Sequence, residues 1–140
     1  MPASDALGII EGLTSIQSSF APKETMDRLE AEIRAQRMTV FARIDHAGGA
    51  AVVGLKLAPT ELIIFGNARA GTPLMQSVQT VGIDLPLKVL VWQDAPGKTW
   101  LSYNESSWIA RRHGVRNAEQ VVSKIGAALS AIARKAANPN

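Results

Sequence analysis

The chain contains no cysteine. That excludes disulfides, a thiolate nucleophile and any cysteine-ligated metal. Aromatic residues make up only 5% of the sequence, too few for a platform on which single-stranded nucleic acid would stack. No apolar run approaches the ~20 residues needed to cross a bilayer. The opening MPASDALGII lacks the basic and apolar regions of a signal peptide, so a cytoplasmic protein with no membrane segment is expected. There are two histidines, His46 and His113. Their spacing is neither helical nor CxxC-like, so no metal site is expected. No Gly-x-Gly-x-x-Gly follows a strand and no Gly-x-Ser-x-Gly elbow is present, so nothing indicates a cofactor or a serine triad.

What is present suits one globular domain. The chain has 140 residues, of which 46% are hydrophobic, enough to bury about two thirds of its unfolded surface. The net charge is +3, but the basic residues are scattered among acids. Only Arg111-Arg112-His113 and Arg116 cluster, so nucleic acid is not an expected partner.

The organising stretch is Pro59 to Gln76. Leu62–Phe65 is a short apolar run between turn formers, as in an inner strand. Gly66 and Asn67 end it, and Thr72 followed by Pro73 predicts a helix start, with Gly82 as its stop. A helix N-terminus can hold an anion, and Arg69 lies in the loop that feeds it. The spacing Gly66-xxxx-Gly71-Thr72 is loosely that of a phosphate loop. The lysine is absent, however, and Pro73 stands where Ser or Thr would bind magnesium, which rejects that reading. A capped helix with a solvated Arg69 is the plain alternative.

Elsewhere, residues 1–11 are expected to be an arm and 12–137 a single domain. Gly12–Ser18 alternates like a strand. Pro22–Arg37 predicts an amphipathic helix with Met26, Leu29 and Ile33 on one stripe. Thr39–Asp45 and Leu85–Trp92 predict strands, Val53–Leu57 a short one, and Ala47–Val53 one or two helical turns. Pro96-Gly97 predicts a type II turn into a strand from Lys98 to Tyr103. Asn104 predicts the cap of a helix ended by Gly114, with His113 capping its C-terminus. Asn117 and Gln120 predict a capping box for a last helix reaching about Lys135. Two long helices can cover only one face of a sheet, so the expected fold is a two-layer α+β sandwich on a mostly antiparallel sheet.

The candidate site residues are His46, Asn67, Arg69, Thr72, Lys88 and Tyr103. His46 sits at a strand end, where sites are often built, or simply bonds a loop. Lys88 interrupts an apolar strand. If buried it would be a base or a Schiff-base amine; if snorkelling, an ordinary surface lysine. Trp92, Trp100 and Tyr103 share a hairpin and suit a core or an interface. The leading expectation is a homo-oligomeric domain that binds a small polar or anionic molecule among these residues. The rivals are an enzyme using His46 or Lys88 as acid or base, and an interaction module that docks through the tryptophan hairpin or the last helix.

Several segments carry a family likeness: Arg43-Ile44-Asp45-His46-Ala47, Pro59-Thr60-Glu61-Leu62 through Phe65-Gly66-Asn67, Gly71-Thr72-Pro73-Leu74-Met75-Gln76, Leu85-Pro86-Leu87-Lys88, Trp92, Tyr103-Asn104 and Arg112-His113-Gly114. Over residues 12–135 the chain resembles the bacterial and archaeal family called domain of unknown function 302. It departs from the pattern at Ala68, where proline often follows the asparagine, and at Gln93, where an acid is common. The resemblance implies a fold of the TATA-box-binding-protein-like class and a tendency to form homodimers. It implies no reaction, and a fold name does not bring DNA binding with it.

Overall fold

Pro22 lacks the N–H that a first helical turn leaves unused, and Met26, Leu29 and Ile33 recur on one face. These residues make helix α1 (Pro22–Ala35) and bury that face completely. The computed structural model describes residues 10–139; the expected N-terminal arm therefore lies outside the described residues except for its last two. Five antiparallel strands follow the order β1-β5-β4-β3-β2 across one sheet. They are β1 (Leu13–Ser18), β2 (Thr39–Asp45), β3 (Thr60–Gly66), β4 (Leu87–Gln93) and β5 (Thr99–Asn104). The other helices are α2 (His46–Val52), α3 (Ala68–Ser77), α4 (Ser106–His113) and α5 (Glu119–Ala137), with a 3-10 turn at Gln79–Ile83. The expected α+β sandwich forms, with α1 and α5 packed together on one side of the sheet.

Alternation along the strands decides which side is the core. Ile63 and Phe65 of β3, Val89 and Val91 of β4, and Leu101 and Tyr103 of β5 point toward α1 and α5 and are all buried. Burying each large side chain there contributes roughly 1.5–3 kcal/mol. The opposite face carries Ile44, Leu62, Ile64, Leu90 and Trp92, none of which joins the core. Its polar atoms are satisfied internally. Trp92 Nε1 donates to Ser102 Oγ at 2.8 Å, Ser15 and Ser102 hydroxyls share a bond of 2.6 Å, and Trp100 Nε1 donates to Asp94 Oδ2 at 2.8 Å. Trp92 stacks on Trp100 with ring centroids 6.3 Å apart.

One irregularity marks the β2 edge of the sheet. Val40 pairs with Phe65 and Ala42 with Ile64, so Phe41 is an extra residue in β2, a β-bulge. Another constraint sits between α4 and α5. A Cβ on Gly126 would lie 2.8 Å from Ser106 Oγ, so glycine permits the close approach in which that hydroxyl donates to the Val122 carbonyl at 2.8 Å.

Several boundaries differ from those read in the sequence. Residues Val53–Leu57 form no strand but an exposed connection. The helix after β3 starts at Ala68, not Thr72, because Asn67 is extended and its Oδ1 accepts from the Arg69 N–H at 2.8 Å. Thr72 and Pro73 therefore lie inside α3. That helix ends at Ser77, and Gly82 falls in the 3-10 turn. Asn104 closes β5, and the residue before α4 is Glu105, which makes no side-chain cap. Asn117 has φ 59, a turn conformation, and α5 starts two residues later with no side-chain cap. Gly114 does end α4, in the left-handed conformation at φ 69.

Candidate functional site

A cleft of about 890 Å³ lies between the end of β3, helix α3, the start of β4 and helix α5. That size is typical of small-ligand sites. Its position follows from local structure. Gly66 and Asn67 end β3 and turn the chain into α3; Leu85, Pro86 and Leu87 bring it back into β4 alongside. On the third side, α5 offers one stripe at helical spacing: Val121, Lys124, Ile125, Ala128, Ile132 and Lys135. The β2 bulge leaves Phe41 at the rim, 59% exposed. Polar groups stand around these apolar walls. Lys135 meets Glu32 at 3.6 Å. Among the described residues, the side chains of Arg69 and Lys124 enter no ion pair.

Three of the six candidates meet here: Asn67, Arg69 and Thr72. The other three do not line the cleft. Lys88 follows Leu87 but points to the opposite sheet face, where it pairs in register with Ile64. Its Nζ donates to the carbonyls of Pro86 at 3.2 Å and Asp84 at 3.4 Å. Tyr103 is a core residue, 8% exposed, between Thr14 and Val89. His46 starts α2 and is exposed. Asp45 before it pairs with Glu61, whereas Thr39 pairs with Gly66 at the cleft end. His46 thus stands about 17 Å away along the strand, five residues at about 3.4 Å each. The reason is topological: adjacent antiparallel strands put the end of β2 beside the start of β3, while the cleft is built at the end of β3. Acid–base chemistry shared by His46 and Lys88 has no common cavity.

Two polar clusters lie outside the cleft. At the sheet edge, Arg43 binds Glu61 through two bonds of 2.9 Å and reaches Asp27 at 3.1 Å and Glu30 at 3.0 Å. These partners raise the Arg43 pKa, with the Glu61 hydrogen bonds as the largest cause. Glu30 is lowered by its hydrogen bonds from Arg43 and Arg34, and Asp27 by those from Lys23 and Arg43.

The second cluster was not anticipated. Asp84 Oδ2 lies 2.6 Å from His113 Nε2, and His113 Nδ1 lies 2.9 Å from Thr80 Oγ1. Arg112 Nη1 donates to both Asp84 oxygens at 2.9 Å. Burial would push the Asp84 carboxyl up. The His113 hydrogen bond and the Arg112 charge outweigh it and hold the carboxyl below its ordinary range. His113 therefore ties α4 to the turn before β4 instead of capping its own helix. The cluster resembles a hydroxyl–imidazole–carboxylate relay, but none of its four residues lines the cleft. The only sequence signal for it was the basic run at Arg111-Arg112-His113.

Lys124 and Lys135 also went unread as site residues, because charged positions on a helix ordinarily face solvent. The usable signal was Ala128 beside the Val121–Ile125 stripe, a place where the apolar face loses its bulk.

Comparison with known proteins agrees with this architecture. A protein from Bacillus stearothermophilus, an uncharacterised conserved DUF302 protein, superposes with a TM-score of 0.81 over 91% of this chain and 99% of its own, at 18% identity. That likeness establishes the fold alone. Fluoride-specific ion channel FluC 1 of Brucella suis is 45% identical over 116 residues, and so is the FluC 1 of Brucella abortus. The match covers 83% of this chain but 46% and 43% of those two proteins, so the chain spans just under half the length of the curated relatives it matches. The profile of the family described as domain of unknown function DUF302 matches residues 14–132. With most of its length inside that profile and the matching fold beneath it, the chain belongs to the DUF302 family.

Proposed function

We propose that this domain binds a small anionic molecule in the cleft between α3 and α5, acting in the cytoplasm. The observation that carries the reading is the pair Arg69 and Lys124, two cations without an ionic partner among the described residues, on the rim of an apolar cavity. An anion settling there gains charge-assisted hydrogen bonds while its body excludes water. A thermal-shift screen across small anions and metabolites tests the reading. Ligands that raise the melting temperature are expected to lose that effect in Arg69→Ala. A broad panel with no stabilisation, and no shifted resonance at Phe41 or Ile125 in a titration followed by NMR, would overturn it.

The open sheet face favours a second role, self-association into a homodimer. Leu62, Ile64, Leu90 and Trp92 form an apolar surface outside the core, and its tryptophan and serine polar atoms are already bonded within the chain. Covering it with a second copy leaves none of those atoms unpaired. Lys88 is turned back to main-chain carbonyls at one end of the face. Sedimentation velocity over a concentration series is expected to show a dimer that Leu90→Lys dissociates. A strict monomer at all concentrations would end this role.

The channel relatives suggest a setting for the domain. No helix among the described residues is long and apolar enough to cross a membrane. Any membrane passage in those proteins would lie in the half that this chain does not span, and the present domain would serve as an attached binding module.

A further inference from the structure

We infer that the ligand of the cleft is an amphipathic acid: a carboxylate head on a hydrocarbon body. The inference rests on the cleft reading above and names its ligand class. Three observations carry it.

The first is shape. The α5 side of the cleft runs from Val121 to Lys135, fourteen steps along the helix that extend roughly 21 Å. The cavity is therefore long, not a round pocket for a compact ion. Between Ile125 and Lys135 that helix also lines the cleft with two small residues, Ala128 and Ala131. A leucine at either position would fill the space that a ligand chain needs.

The second is the wall. Met38, Phe41, Met75, Leu85 and Ile125 contribute hydrocarbon, thioether or ring surface. Thioethers adapt to flexible chains. A hydrated ion such as phosphate would meet few donors there and would give up water for little return.

The third is charge. Arg69, Lys124 and Lys135 border the cleft against one acid, Glu32, which Lys135 already meets. A neutral hydrocarbon would leave the remaining cations without a role. An acid head gives these cations a partner, and a hydrocarbon chain gives the apolar walls one.

The test is calorimetric titration of the full chain with straight-chain carboxylates from acetate to decanoate, the matched alcohols, and inorganic phosphate. Affinity is expected to rise with each added pair of carbons up to a limiting length. Decanol is expected to bind on the order of tenfold more weakly than decanoate, the size of one charge-assisted contact. Arg69→Ala combined with Lys124→Ala is expected to remove that preference for the acid while leaving decanol binding intact. Both side chains are exposed, so folding is kept, and circular dichroism checks it. Ala128→Leu is expected to shorten the longest accepted chain.

Acetate or phosphate binding with no gain from chain length would overturn the amphipathic class and leave the anion-site reading standing. Equal affinity for alcohols and acids would overturn the role of the head. Resonances of Phe41 and Ile125 that follow protein concentration and ignore added acid would assign the cleft to a second copy. No binding by any of these probes would remove both the inference and the reading beneath it.

Discussion

Arg43 and Arg69 are the same residue type in opposite circumstances. Arg43 stands at the sheet edge with three carboxylates within 3.1 Å. Arg69 stands on an apolar cleft, and its side chain has no ionic partner among the described residues. The Asp84 cluster belongs with Arg43, since its carboxylate binds Arg112 and His113 at once. The contrast separates charges that hold the fold from charges left available to something else. A charge whose partners lie within the chain has its chemistry spent on geometry. A charge held over hydrocarbon with no partner keeps its interaction energy for a ligand.

Three substitutions sharpen or break the contrast, from the largest expected change in stability to the smallest. Asp84→Asn removes a carboxylate whose side chain is only 12% exposed and is expected to lower unfolding free energy by about 2 kcal/mol at neutral pH, read by urea denaturation. The pH dependence follows from the lowered pKa. The native carboxyl releases its proton more readily than the unfolded one, so its contribution is full above the unfolded value of about 3.9 and is lost as pH falls through the lower native value. The gap between wild type and Asp84→Asn should therefore close below about pH 4. A gap that widens on acidification would contradict the assignment.

Arg43→Ala comes next, at about 1 kcal/mol, because its bonds are partly exposed and solvent screens them. The loss should shrink in high salt. Arg69→Ala is expected to change stability by less than about 0.5 kcal/mol, as for a surface residue without partners, while weakening a bound acid. If Arg69→Ala destabilised the domain as much as Arg43→Ala, the contrast between structural and available charge would fail.

Much of the scaffold was legible because it depends on local pattern. Met26, Leu29 and Ile33 announced α1, and alternation announced β2 and β4. Pro96-Gly97 announced the hairpin turn, where Gly97 has φ 97 and its N–H reaches the Asp94 carbonyl at 3.0 Å. The start of α3 was misplaced because two caps competed five residues apart, Asn67 and Thr72. The first won by making the side-chain bond to Arg69 N. The segment Val53–Leu57 has strand-like residues but finds no neighbour to pair with, and β-propensity without a partner makes no strand. The site was half legible. Asn67, Arg69 and Thr72 lie within one short stretch and could be read together. Lys124 reaches the same cleft only through the packing of α5. The Asp84–His113 bond spans 29 residues and His113–Thr80 spans 33, distances over which sequence spacing carries no geometric information.

The extra residue in β2 has an outcome for solubility. An uninterrupted outer strand would offer a regular row of donors and acceptors on which further extended chains could add, one after another. Phe41 breaks that row near the start of β2, so a strand added at this edge loses register. Edge-to-edge addition at β2 should consequently be disfavoured, which leaves β1 as the outer strand with an unbroken register.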